Sequence, residues 1–152
     1  MSDIAIQDRL FPDARCFGCG PANAEGLQLK SHPTDDGLVV ATFTPWPQHD
    51  NGVGYLNGGV IATLLDCHSG AAVFHQADLR GWGPLPGTAF SYVTAGIDVR
   101  YRRPAPLEAE VSLVAEVAEA TEDAMACSVR LEFDGKVRAE ATALWKRWRP
   151  RV

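Results

Sequence analysis

The stretch Asn57-Gly58-Gly59-Val60-Ile61-Ala62-Thr63-Leu64-Leu65-Asp66-Cys67-His68-Ser69-Gly70-Ala71-Ala72-Val73-Phe74 is the most apolar helical run of the chain, and one acidic residue stands alone in its middle. Its composition predicts a helix from Gly58 to about Ala77, with Asn57 as the N-cap. A carboxylate among Leu, Ile and Val must lie at a cleft, be paired, or have a shifted pKa, because burying it ionised and alone is very costly. Asp66 is therefore the first candidate for chemistry.

Helical geometry sorts its neighbours. At 100° per residue, Ala62, Thr63, Ser69, Gly70 and Val73 share the surface around Asp66, whereas Ile61, Leu64, Leu65, His68 and Ala72 point largely away. The carboxylate thus stands over small residues, a surface suited to close approach by another helix or a ligand, with the bulky face left to pack on a sheet. His68 lies about 200° around the helix, so an Asp66–His68 dyad is not expected and His68 reads as a packed histidine. At the helix start, Asn57-Gly58-Gly59 leaves backbone N–H groups at a positive dipole end with no Cβ in the way, suited to a carbonyl oxygen gaining negative charge. Eight residues separate Gly58 from Asp66, or roughly 12 Å along the helix, too far for both to act on one carbonyl. If both serve one reaction, one of them must come from a second copy of the chain, across a two-fold interface.

Outward from the helix the sequence reads as strands. Residues 27–31 and 38–44 form a first expected hairpin around Thr34-Asp35-Asp36-Gly37. Arg80-Gly81-Trp82-Gly83-Pro84-Leu85-Pro86-Gly87 is too rich in Gly and Pro for regular structure, and Trp82 and Leu85 could either line a pocket or cover the core. From Val93 the chain alternates, with Ile97, Val99 and Tyr101 on one face and Asp98, Arg100 and Arg102 on the other, until Pro104 and Pro106. Runs over Ala109–Val117, Met125–Phe133 and Val137–Trp145 follow as a meander, the last two joined by Asp134-Gly135-Lys136. One long apolar helix and about six one-sided strands imply an α+β fold, a curved antiparallel sheet wrapped around the helix.

Composition bounds the partners. With 152 residues, one domain is expected, flanked by an N-terminal loop segment (1–25) and a basic tail (146–152). Fourteen Lys plus Arg against 19 Asp plus Glu provide no positive field for nucleic acid or an anionic membrane. No signal pattern or apolar run of about 20 residues appears, so a soluble, cytoplasmic protein is expected. Cys67 and Cys127 read as reduced core residues. Cys16-Phe17-Gly18-Cys19, with no second pair or nearby histidine, is half a zinc site and reads as a tight loop, so no metal or redox cofactor is expected.

The arrangement Asn51-x6-Gly58-Gly59-x6-Asp66, then Val93-Thr94 and Ile97-Asp98-Val99-Arg100-Tyr101-Arg102-Arg103-Pro104, resembles the hotdog-fold acyl-CoA thioesterases of the PaaI and four-hydroxybenzoyl-CoA thioesterase type. Cys16-Phe17-Gly18-Cys19-Gly20 with Asn23 and Gly26-Leu27 resembles the N-terminal segment of many members. The resemblance implies a sheet around one central helix, homodimers joined edge to edge, often paired into tetramers, and hydrolysis of an acyl-CoA thioester. By position, Asp66 would attack the thioester or activate water, the Gly58 amide would polarise the carbonyl, Asn51 would orient water or the carboxylate, and Thr94 would assist the water. Asn57, Gly59 and Thr63 would border the substrate, and Arg102 and Arg103 would meet CoA phosphates. Many relatives carry His-Gly-Gly where this chain has Asn57-Gly58-Gly59; Asn retains the capping ability but does not titrate near neutrality. The alternatives are an acyl-CoA or fatty-acyl binding module without catalysis and, less favoured, a hotdog dehydratase or hydratase, which uses a histidine base that Asp66 has no partner for in its helix.

Overall fold

In the computed structural model, which describes residues 3–151, helix α2 (Gly58–Leu79) is enclosed on every side along its middle turns. Seven consecutive residues, Cys67 to Val73, are all buried, which only a helix at the centre of a fold can achieve. Around it runs one antiparallel sheet of six strands: β1 (His32–Pro33), β2 (Val39–Phe43), β3 (Tyr92–Tyr101), β4 (Val111–Ala120), β5 (Ala124–Phe133) and β6 (Lys136–Arg147). Their order is β1-β2-β4-β5-β6-β3, so β3 leaves the meander and closes the far edge against β6. This is the hotdog arrangement expected from the sequence, with Leu113, Leu131, Ala139 and Ala143 supplying the buried face beneath the helix.

Three boundaries differ from the sequence reading. Residues 27–31 are not a strand: Gln28 has a left-handed backbone (φ 57°), and the N–H groups of Leu27 and Leu29 go to Phe17 O (2.8 Å) and Gly18 O (3.1 Å) rather than to a sheet partner. Leu27 and Leu29 are buried all the same, under the N-terminal segment. That segment is not simply a loop; it contains helix α1 (Ile6–Leu10), whose Ile6 is fully buried and whose Arg9 pairs with Asp78 of α2 at 2.8 Å. The tail likewise begins later than expected, because Lys146 and Arg147 still belong to β6. The Arg147 side chain is 5% exposed, donates to Trp82 O at 2.6 Å and lies over the Tyr92 ring. The ends of both segments, at Met1, Ser2 and Val152, lie outside the described residues.

The small-residue face of α2, expected to meet another helix or a ligand, meets a strand side chain at Gly70 and borders a cavity at Asp66. A Cβ on Gly70 would come 2.7 Å from the Trp145 ring, and Trp145 Nε1 donates to Ser69 Oγ at 3.0 Å, so the missing side chain admits a tryptophan from β6. His68, on the opposite side, is a packed histidine as read from the helical wheel. Its Nε2 donates to Val39 O (2.9 Å), and its Nδ1 accepts from Ser31 Oγ (2.9 Å), which in turn accepts from Gln7 Nε2 (3.0 Å). Burial pushes its pKa down to about 4, in keeping with a neutral ring. This chain of bonds joins α1, the 27–31 segment, α2 and β2. Ser31→Ala leaves a buried ring nitrogen without a donor, and is expected to lower stability by about 1–3 kcal/mol, measured as a lower urea midpoint at unchanged slope.

Candidate active site

Asp66 lies half-buried on the side of α2 that faces the edge strand, where Thr94 Oγ1 of β3 donates to its Oδ1 at 2.7 Å. Two residues 28 apart in sequence are thereby brought together. Strict alternation along β3 would have put Thr94 on the outer face with Asp98 and Arg100. A bulge at Ala95 changes this: Thr94 pairs with Trp145 but Gly96 with Leu144, so the strand changes parity and Thr94 turns inward. Desolvation raises the Asp66 pKa, the hydrogen bond from Thr94 opposes that, and negative charge at Cys16 adds to the rise.

Beside the carboxylate opens a cavity of about 220 Å³ whose walls are mainly aromatic: Phe11, Phe74, Phe90, Tyr92 and Trp145. Phe74 stacks edge-on against Phe11 (5.4 Å between centroids) and Trp145 (5.7 Å). An apolar group is what such a wall accepts, with Asp66 and Thr94 as the polar atoms at its rim. The sequence reading missed this wall, because Phe11 and Phe90 come from segments with no periodicity to orient them. Trp82 and Leu85, which it considered, do not line this cavity; Trp82 packs against the core beneath Arg80.

At the helix start, Asn57 Oδ1 accepts from Gly59 N (2.8 Å) and Val60 N (3.2 Å), the expected N-cap. The Gly58 N–H has no acceptor among the described residues and is left facing out at the positive end of the helix. Gly58 O accepts from the Tyr101 hydroxyl at 2.8 Å, which ties the helix start to β3. Within one chain this N–H and Asp66 stay about 12 Å apart.

Other expected site residues have local partners. Asn51 Oδ1 accepts from Val53 N and Tyr55 N, at 2.9 and 3.2 Å, shaping the loop before the helix rather than reaching Asp66 of its own chain. Thr63 Oγ1 donates back to Gly59 O at 2.9 Å. Arg102 is engaged by Glu140 through both Nε (3.1 Å) and Nη2 (2.6 Å), while Arg103 is exposed and anchored by its backbone to Arg138 O. The cysteines are closer than their sequence spacing suggests. Cys67 faces the 16–19 turn, with 3.6 Å between its Sγ and that of Cys16, and Cys19 completes a cluster bordering the same cavity. Hydrogen bonds from the other two thiols bring Cys16 down to about 2, while its own acceptance pushes Cys19 up to about 12 and Cys67 also upward.

Residues 53–140, covering α2 and most of the sheet, match the thioesterase superfamily. The chain belongs to that superfamily. It is 28% identical over 109 residues to acyl-coenzyme A thioesterase THEM4 of Xenopus laevis, a match that takes in 70% of this chain and 44% of that protein, so the chain spans less than half of this relative. Among solved structures, a thioesterase superfamily protein of Shewanella loihica superposes with a TM-score of 0.65 at 26% identity, covering 85% of this chain and 98% of the other. The PaaI protein of E. coli has the same fold, with a TM-score of 0.68 at 20% identity over 84% of this chain and 85% of its own. None of the described helices is long and apolar enough to cross a membrane.

The cap at the helix start is separable from the carboxylate. Asn57→Ala is expected to cost about 1 kcal/mol in denaturant unfolding, and Asn57→Asp, which keeps an accepting oxygen, much less.

Proposed function

We propose that this protein is an acyl-CoA thioesterase whose active site forms between two copies of the chain, with Asp66 and Thr94 from one and the Gly58 amide from the other. The observation that carries this reading is the Thr94–Asp66 hydrogen bond at the rim of an aromatic-walled cavity. A half-buried carboxylate with raised pKa is a stronger base than a solvated one, and it stands where the carbonyl of an acyl group entering the cavity arrives. It either attacks that carbonyl or takes a proton from an attacking water that Thr94 helps to hold. A helix N-terminal amide with no acceptor of its own suits the oxyanion that forms in both routes.

The edge strand supports the shared site. Strand β3 offers ten residues of unpaired edge, and Ile97, Tyr101 and the neighbouring Leu144 are 36%, 56% and 41% exposed. A second copy pairing there would cover these side chains and bring a foreign helix start toward Asp66, as a homodimer or as half of a dimer of dimers. Asn51 of that copy, and Arg103 as the less engaged of the two arginines, are the proposed contacts to water and to CoA phosphate. All four cysteines are free thiols, which suits the reducing cytoplasm.

The reading is tested with purified protein and a panel of short, medium, long and aromatic acyl-CoAs. Asp66→Ala and Asp66→Asn are each expected to lower kcat by about 10²–10⁴-fold, and turnover equal to wild type in both would remove Asp66 from the reaction. Binding of CoA esters with no hydrolysis of any would instead favour the acyl-CoA binding module. Shared construction has its own test. Gly58→Pro removes the N–H at a position where helices accept proline, so it disables the amide while keeping the fold. Mixing Gly58→Pro with Asp66→Ala subunits at random gives half mixed dimers, each with one intact site of two, and about one quarter of wild-type activity is expected to return. No recovery, with subunit exchange demonstrated, would place both groups in one chain.

The cavity wall predicts selectivity. Phe74→Ala is expected to shift kcat/KM toward longer acyl chains by about tenfold relative to short ones, read from the same panel.

A further inference from the structure

Outside the acyl cavity's polar rim, one cluster has no part in the proposed hydrolysis. Cys16, Cys19 and Cys67 bring three sulfur atoms within 4.8 Å of one another. A tetrahedral zinc ion with bonds of about 2.3 Å holds its sulfurs about 3.8 Å apart, and the Cys16–Cys67 separation of 3.6 Å is already close to that. A disulfide between the same two atoms would need them to close to about 2.05 Å.

The surroundings are built around this approach. Cys16 and Cys19 occupy a two-residue-spaced turn that is fixed from both sides: Gly20 N donates to Cys16 O (2.8 Å), Leu27 N to Phe17 O (2.8 Å) and Leu29 N to Gly18 O (3.1 Å). Gln28 Nε2 adds a bond to Gly20 O at 2.9 Å. A Cβ on Gly18 would lie 2.3 Å from Cys67 Sγ, so only glycine lets the turn press its backbone onto the third sulfur. Each sulfur therefore arrives from a part of the fold that cannot easily move away: two from the turn, one from the central helix.

We propose that Cys16, Cys19 and Cys67 form a trithiolate site for a thiophilic divalent cation, zinc in the first instance, with the fourth position facing the cavity that all three border. Binding displaces the remaining thiol protons to solvent, and water from the cavity completes the tetrahedron. The ion would clasp the N-terminal turn to α2 next to Asp66. This proposal does not depend on the hydrolytic reading, since its readout is metal uptake.

The test uses the full-length protein, reduced and stripped of metal, titrated with Co²⁺ and then with Zn²⁺. One equivalent of Co²⁺ per chain is expected to give thiolate-to-cobalt charge-transfer absorption and the intense visible bands of a tetrahedral site, both abolished by one equivalent of Zn²⁺. Cys16→Ser and Cys67→Ser are expected to lose the charge-transfer intensity, whereas Cys127→Ser, a buried thiol far along the sheet, retains it. Circular dichroism of each variant shows whether the loss is local, and Cys16, being exposed, is the substitution least disruptive to the fold. The proposal is overturned if the reduced wild type shows no such bands, if Cys67→Ser binds as wild type does, or if a Cys16–Cys67 disulfide forms and its reduction restores no metal uptake.

Discussion

Much of this molecule follows from placing the middle of one helix where it has no wet face. A sheet covers one side of α2, the N-terminal segment and the 16–20 turn cover the other, and the polar groups on its buried middle turns must then find partners inside the protein. His68 finds Ser31 and the Val39 carbonyl, and Ser69 receives the Trp145 indole. Asp66 reaches the cavity, where the Thr94 hydroxyl is its hydrogen-bond partner. A carboxylate so placed keeps some of the basicity that water would remove, and the fold tolerates the cost because the cavity leaves the group partly solvated.

The same enclosure explains why glycine matters at two positions of the helix packing. Gly70 lets a tryptophan ring pass at a distance no Cβ would allow, and that ring becomes one wall of the cavity. Gly18 does the equivalent for a backbone, bringing the N-terminal turn against Cys67. Small residues near Asp66 thus serve close approach, as their spacing on the helix indicated, but the visitors are a strand side chain and a loop.

Much of this was legible in the sequence. The helix, its Asn57 cap and the four later strands follow from periodicity and turn residues, because each buries one clear face. That Asp66 needs a cleft, a partner or a shifted pKa followed from its isolation among aliphatics. The N-terminal third was less legible for physical reasons: Leu27 and Leu29 alternate like a strand, yet their N–H groups are taken by the 16–20 turn, a long-range pairing that local pattern does not encode. Arg147 reads as a tail residue because of its charge, whereas a carbonyl and a tyrosine ring hold its guanidinium in a nearly dry place. The cysteine cluster was hidden because its third member lies 48 residues beyond Cys19 in an element that reads as core, and the aromatic wall because Phe11 and Phe90 sit in segments without period.

The bulge at Ala95 makes β3 a strand with two reading frames. Up to Thr94 even-numbered residues face the helix; from Ile97 onward odd-numbered ones do, and Tyr101 uses that second frame to reach Gly58. One surplus residue keeps both frames aligned with the same helix. Substituting position 95 leaves the phase untouched, but deleting it acts as a frameshift in space: it either turns Thr94 away from the carboxylate or turns Ile97, Val99 and Tyr101 outward. The length of this segment, more than its composition, is therefore what ties the chemistry of Asp66 to the packing of the edge.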